Sequence, residues 1–187
     1  MQDVAAFLLI FVVFPLWVAA GFADWACHRH TNIAWTSGLK ENLLHLTMFA
    51  QLGLGIAAVA LLEVNAAVLS FIAAIFVVHE LTVYWDLHYS TPRRNVGPFE
   101  QMVHSFMEIL PLASIALLAV LAWEQALALA GLGAESADWS LRPKQRPLPA
   151  SWLLAGLLAS LVFNALPLAQ ETWSCVRARI PASPGPR

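Results

Sequence analysis

The sequence predicts an all-α integral membrane protein: a bundle of about five transmembrane helices with its N-terminus outside and its C-terminus in the cytoplasm. Of the 187 residues, 59% are apolar and only 12% are charged, whereas soluble domains carry about 25% charged residues. The apolar residues also form long runs rather than alternating faces, which is typical of helices that face lipid.

Five runs are long enough to cross about 30 Å of hydrocarbon. They cover residues 4–23, 43–62, 66–84, 106–130 and 151–169. The first run lacks a preceding basic region and is as long as a full span, so we expect it to be retained and not cleaved as a signal peptide. We expect residues 1–175 to form one domain and residues 176–187 to form a flexible cytoplasmic tail.

The ten basic residues predict the orientation. Three of them lie between the fourth and fifth helices, and the other seven, on the opposite side, are Arg29, Lys40, Arg93, Arg94, Arg177, Arg179 and Arg187. An excess of Lys and Arg marks the cytoplasmic side, so we expect a multi-pass protein of a bacterial inner membrane. Arg93 and Arg94 could hold an anionic head group, although this orientation rule alone explains them equally well.

All six histidines lie near helix ends on the predicted cytoplasmic side, together with six carboxylates. The twelve residues are Asp24, His28, His30, Glu41, His45, His79, Glu80, Asp86, His88, Glu100, His104 and Glu108. Ionisable groups near bilayer depth are energetically expensive and tend to mark function. We predict that they form a polynuclear metal site; the remaining carboxylates, including Glu171, fall outside this predicted group.

Carboxylates and imidazoles recur four residues apart on three helices. Residues at this spacing share one helical face, and di-metal helical bundles place Glu and His at similar intervals. The pattern comprises Asp24/His28, Glu41/His45 and the most specific series, Glu100/His104/Glu108.

Two histidines fit this pattern only if a helix ends early. On the third helix His79 and Asp86 share a face, whereas His88 lies half a turn from His79 and joins it only if the helix ends or distorts near Asp86. His30 joins His28 as a ligand only if the first helix frays at its end.

Mixed imidazole and carboxylate ligands suit iron, with zinc and manganese as alternatives. Twelve candidate ligands exceed the four that a structural zinc ion takes. We therefore expect two iron ions, and this supply of ligands would accommodate a third.

The segment Asp24–Glu108 resembles, in type, the membrane histidine-rich di-iron hydroxylases and desaturases. The likeness runs through His28-x-His30, Glu41-x3-His45, His79…Asp86-x-His88 and Glu100-x3-His104-x3-Glu108, with carboxylates in place of several of that family's histidines. The resemblance implies a metal site at the cytoplasmic helix ends and O2-dependent hydroxylation or desaturation of a hydrophobic, lipid-like substrate. An electron-donor protein would then be a partner.

Other function classes stay open. An intramembrane zinc hydrolase would activate water, with a carboxylate such as Glu80 as general base. A metal transporter or sensor would need ligands along a path across the membrane, and the outer halves of these helices are apolar. Haem binding by a pair such as His45 and His104 is a further option. The chain has no basic stripe, so we expect no nucleic-acid partner.

Overall fold

A computed structural model of the chain, described for residues 2–179, is all-helical, with 79% of residues in helices. Five helices are long and apolar enough to cross a membrane: α1 (Gln2–His30), α2 (Leu39–Leu61), α3 (Ala66–Ser90), α4 (Pro98–Leu121) and α6 (Ala150–Ala178). A short helix, α5 (Trp123–Leu129), follows α4. The predicted all-α class, with about five helices able to span a membrane, is confirmed. Most of the predicted tail lies outside the described residues, but α6 continues through its first three residues.

Large apolar side chains cover the outside of the bundle. Leu54, Leu81 and Leu157 are each at least 60% exposed, and no spanning helix has more than 28% of its most apolar window buried. Exposing apolar surface to water costs about 25 cal/mol per Å², and patches this extensive are unusual on soluble monomers. The surface therefore suits a lipid environment.

The long helices extend further toward the histidine-bearing end than the apolar runs predict. α3 continues to Ser90 instead of ending at residue 84, α4 begins at Pro98 instead of residue 106, and α6 reaches Ala178 instead of residue 169. Backbone groups close to a membrane must be satisfied internally, so polar segments stay helical there. As a result, residues spaced by four remain on one helical face.

The opposite end is closed by the segment that joins α5 to α6. Lys144 donates its backbone N–H to the carbonyl of Leu61 at 2.8 Å, and Glu63 donates to that of Arg142 at 3.0 Å. The fourth predicted run breaks at Ala122, where the backbone leaves helical geometry. An apolar core around Leu69, Ile72 and Leu118 forms inside this end, away from the histidines.

A close contact joins α1 to α6. Each of these helices contains one π-helical turn, Leu9–Val13 and Leu161–Ala165, a distortion often found at functional sites. Asn164, in the second turn, donates from Nδ2 to the carbonyl of Val18 at 3.1 Å. Gly21 makes room for this amide, because a Cβ at that position would collide with it.

We expect Gly21→Ala to destabilise the protein, because Asn164 would have to move and lose its bond to α1. Interhelical hydrogen bonds in membranes contribute about 0.6–1.7 kcal/mol, so the thermal unfolding midpoint in detergent should fall by about 2–4 °C. Gly53→Ala is the matched control, since nothing lies within 4 Å of a Cβ there and Ala favours helix. Equal midpoints for the two variants would contradict the proposed close packing.

Candidate metal centre

At the histidine-bearing end of the bundle, α1, α2, α3, α4 and α6 surround a cavity of about 100 Å³. Each of these helices contributes ionisable side chains to this end of the bundle. The buried carboxylates among the described residues all lie here, and they are Asp24, Glu41, Asp86, Glu100 and Glu171.

One group of donors, called site A, lies between α1 and α4 and consists of Asp24, His28, Glu100 and His104. One donor atom from each residue lies within 4.8 Å of all the others. His104 Nε2 is 2.9 Å from Asp24 Oδ1. His28 Nε2 is 3.4 Å from the same oxygen and 3.5 Å from Glu100 Oε1. Site A is thus built from two of the predicted four-residue spacings.

A second group, called site B, consists of His28, Glu41 and His45, again with donor atoms within 4.8 Å of one another. His45 Nε2 also lies 3.4 Å from Asp86 Oδ2 on α3. The imidazoles of His28 and His45 stack, with ring centroids 4.5 Å apart and planes inclined by 10°. Sites A and B therefore adjoin and share His28.

Glu171 belongs to the cluster, and its predicted position outside the cluster is wrong. Its Oε2 is 3.1 Å from His28 Nδ1, and its Oε1 accepts a bond from Asn42 Nδ2 at 2.8 Å and lies 3.7 Å from His45 Nδ1. One carboxylate thus approaches the Nδ1 atoms of both stacked imidazoles. Carboxylates in this position commonly orient metal-binding histidines so that Nε2 is available to the metal.

Arg94 is also part of the cluster and not a free surface cation. Its guanidinium donates to Glu41 Oε1 at 2.6 and 2.8 Å and lies 2.5 Å from Glu100 Oε1. Burial disfavours the charged guanidinium, but the hydrogen bond and charge of Glu41, together with those of Glu100, raise the pKa of Arg94 above its ordinary value. Arg94 is therefore unavailable for the head-group role considered from the sequence.

With neutral imidazoles, the form that binds metal, the charges of this cluster do not balance without a further cation. Within residues 2–179, five buried carboxylates meet a single buried guanidinium, which leaves four negative charges when all the acids are ionised and the histidines are neutral. Buried charges are normally paired or bound to metal, and two divalent cations would compensate this excess.

The cluster also contains polar atoms that have no hydrogen-bond partner among residues 2–179. These buried atoms include His28 Nε2, Glu41 Oε2, His79 Nδ1 and Asp86 Oδ1. Buried polar atoms are nearly always paired. Unpaired nitrogen and oxygen atoms beside an excess of negative charge are therefore suitable ligands for a pair of metal ions.

The other predicted ligands divide into two sets. His79, which is buried, and Glu108, which is half-buried, line the same cavity. Glu80 is half-buried and does not line it. His30 and His88 are exposed because α1 and α3 stay helical to their ends, so the structure does not bring these two into sites A and B.

Comparison with models of known protein families, with curated proteins and with solved structures gave no match.

We expect Arg94→Gln to destabilise the protein strongly, because it leaves Glu41 and Glu100 buried without their cation. Breaking a buried ion pair in this way costs about 3–5 kcal/mol. Thermal unfolding of the chelator-treated protein in detergent would measure the effect. Arg93→Gln, which removes the neighbouring exposed cation, should change stability by less than about 1 kcal/mol. Equal losses for the two variants would contradict the role of Arg94 in charge compensation.

Proposed function

We propose that the protein is a membrane-bound di-iron oxidoreductase that uses O2 to hydroxylate or desaturate a hydrophobic, lipid-like substrate. The observation that carries this proposal is the adjacency of sites A and B around His28. Sites A and B are neighbouring groups of imidazole and carboxylate donors, and the negative charge of the cluster would be compensated by two divalent ions. These two properties suit a dinuclear centre. The absence of cysteine from both groups favours iron over structural zinc.

Some residues of the cluster would bind the metal ions, and others would orient the metal ligands. Asp24, Glu100 and His104 would hold one ion, and Glu41 and His45 the other; His28, whose Nδ1 faces Glu171, would offer Nε2 to one of the two. Glu171 and Arg94 would orient these ligands, since each lies within ion-pair distance of two of them. A bound pair of iron ions would supply the redox chemistry that O2 activation requires.

The cavity beside the cluster would take the reacting part of the substrate. Its wall combines polar groups of the cluster with apolar side chains, among them Trp17, Phe49, Leu52 and Val83. The apolar part of this wall suits a hydrocarbon portion of the substrate, which would reach the polar cluster from that side.

Alternative chemistries have less support. A hydrolase that uses Glu80 as general base would need that carboxylate beside the reacting atoms, and Glu80 does not line the cavity. A transporter would need polar groups through the other half of the bundle, where Leu69, Ile72 and Leu118 form an apolar core.

We expect the protein purified without chelator to contain about two iron ions per chain, as measured by elemental analysis. His104→Ala should lower occupancy sharply, because it removes a ligand of site A and leaves Asp24 without its closest partner. Glu171→Gln should weaken metal binding about 10–100-fold, as is typical of residues that orient ligands.

His88→Ala is the matched control, since it removes an exposed histidine that the sequence alone would include among the ligands. It should retain full metal content. Full occupancy in folded His104→Ala, or less than one transition metal per chain in the wild type, would refute the dinuclear site. One zinc ion per chain would instead favour the hydrolase.

We also propose that the metal centre faces the cytoplasm of a bacterial inner membrane, from the basic-residue asymmetry. In a chain carrying Cys27→Ala and Cys175→Ala, single cysteines would replace two exposed residues, Asn95 beside the centre and Trp139 at the opposite end. A membrane-impermeant maleimide should label only the Trp139→Cys variant in intact cells. Labelling of Asn95→Cys alone would place the centre outside.

A further inference from the structure

We propose that Lys40, Tyr89 and Arg93 form a binding site for the phosphate head group of an anionic membrane lipid. This site lies at the rim of the histidine-bearing end, outside the metal cluster. It does not depend on the proposed metal chemistry.

The two cations converge on one aromatic ring. Lys40 Nζ lies 4.4 Å from the ring centroid of Tyr89, and the guanidinium carbon of Arg93 lies 3.9 Å from the same centroid. The hydroxyl of Tyr89 donates to the carbonyl of Ser37 at 3.0 Å, which fixes the ring between the α1–α2 and α3–α4 connections. Both cations contact the same ring, and one anion bound beside that ring would offset the positive charge of both.

Neither cation is neutralised by the protein. Among residues 2–179, the arginine and lysine ion pairs involve only Arg94 and Arg142. The carboxylates nearest in sequence, such as Glu41 and Asp86, are buried in the cluster, whereas Lys40 and Arg93 are exposed. The rim therefore presents positive charge without acidic neighbours to compete for an anion.

The surrounding aromatic residues place this site at head-group depth. Tyr84 and Trp85 are 71% and 55% exposed, and Trp85 also lies beneath Lys40, 5.8 Å from Nζ. Exposed Trp and Tyr at helix ends mark the level of lipid head groups. A phosphate that meets these two cations at this depth would come from a lipid rather than from solution.

Other cations of this rim provide a matched comparison. Arg29 lies 5.6 Å from the ring of Trp25, and Arg177 lies 4.6 Å from that of Trp173. Each is a single exposed cation on its own ring, so removing both takes away as much charge without altering the paired site.

The test measures lipid-dependent thermal stabilisation of the full chain in maltoside micelles. A lipid that binds the folded state raises the unfolding midpoint in a saturable manner. Dioleoyl phosphatidylglycerol should stabilise the wild type, whereas dioleoyl phosphatidylcholine and inorganic phosphate should not. Lys40→Gln/Arg93→Gln should weaken the apparent affinity for phosphatidylglycerol more than about tenfold, because it removes two charge-assisted contacts.

Arg29→Gln/Arg177→Gln should change this affinity less than about threefold, and Lys40→Arg, which keeps a cation able to contact the aromatic ring and bind phosphate, should retain most of it. Equal losses in the two glutamine double variants would overturn the proposal and assign the effect to general surface charge. Equal stabilisation by phosphatidylcholine would also overturn it. Stabilisation by inorganic phosphate alone would identify a site for soluble anions and overturn the lipid assignment. If Lys40→Gln/Arg93→Gln does not fold, Lys40→Gln alone decides by the same criteria.

Discussion

The compensation of buried negative charge governs the architecture of this protein. Within the part of the chain that the structure describes, five carboxylates are buried at one end of an apolar bundle with a single guanidinium among them. An uncompensated buried charge costs several kcal/mol. This requirement explains why Arg94 folds inward from the α3–α4 connection and pairs with Glu41 and Glu100. It also explains why imidazoles lie beside most of these acids and why a further positive charge, from metal ions, suits the cluster.

Acidic and basic side chains occupy different positions at the histidine-bearing end. Acidic side chains gather inside, where they attract cations, and basic side chains such as Lys40 and Arg93 stay at the rim, where they meet anions. The proposed metal centre and the proposed head-group site can therefore coexist at one end of the bundle. An amphiphile held by its head group at the rim would extend its alkyl chain toward the bilayer interior.

Local helical geometry accounts for the part of the site that could be predicted from the sequence. Asp24 with His28, and Glu100 with His104, are four residues apart, and a continuous helix is enough to place each pair on one face. Helical spacing alone could not predict the positions of His30 and His88. Their positions depend on whether a helix ends or continues, and in a membrane the unsatisfied backbone of a frayed end favours continuation.

The sequence by itself determined the membrane bundle, the end at which the ionisable groups gather and the residue pairs of site A, because composition and helical periodicity are local properties. Only the tertiary structure decided which helices meet, how the buried charges pair and how far the cavity reaches. Glu171 is 143 residues from His28 in the chain, and no local pattern links the two. Their contact arises because α6 packs against α1 through Gly21 and Asn164, an interaction between distant segments that only the folded chain contains.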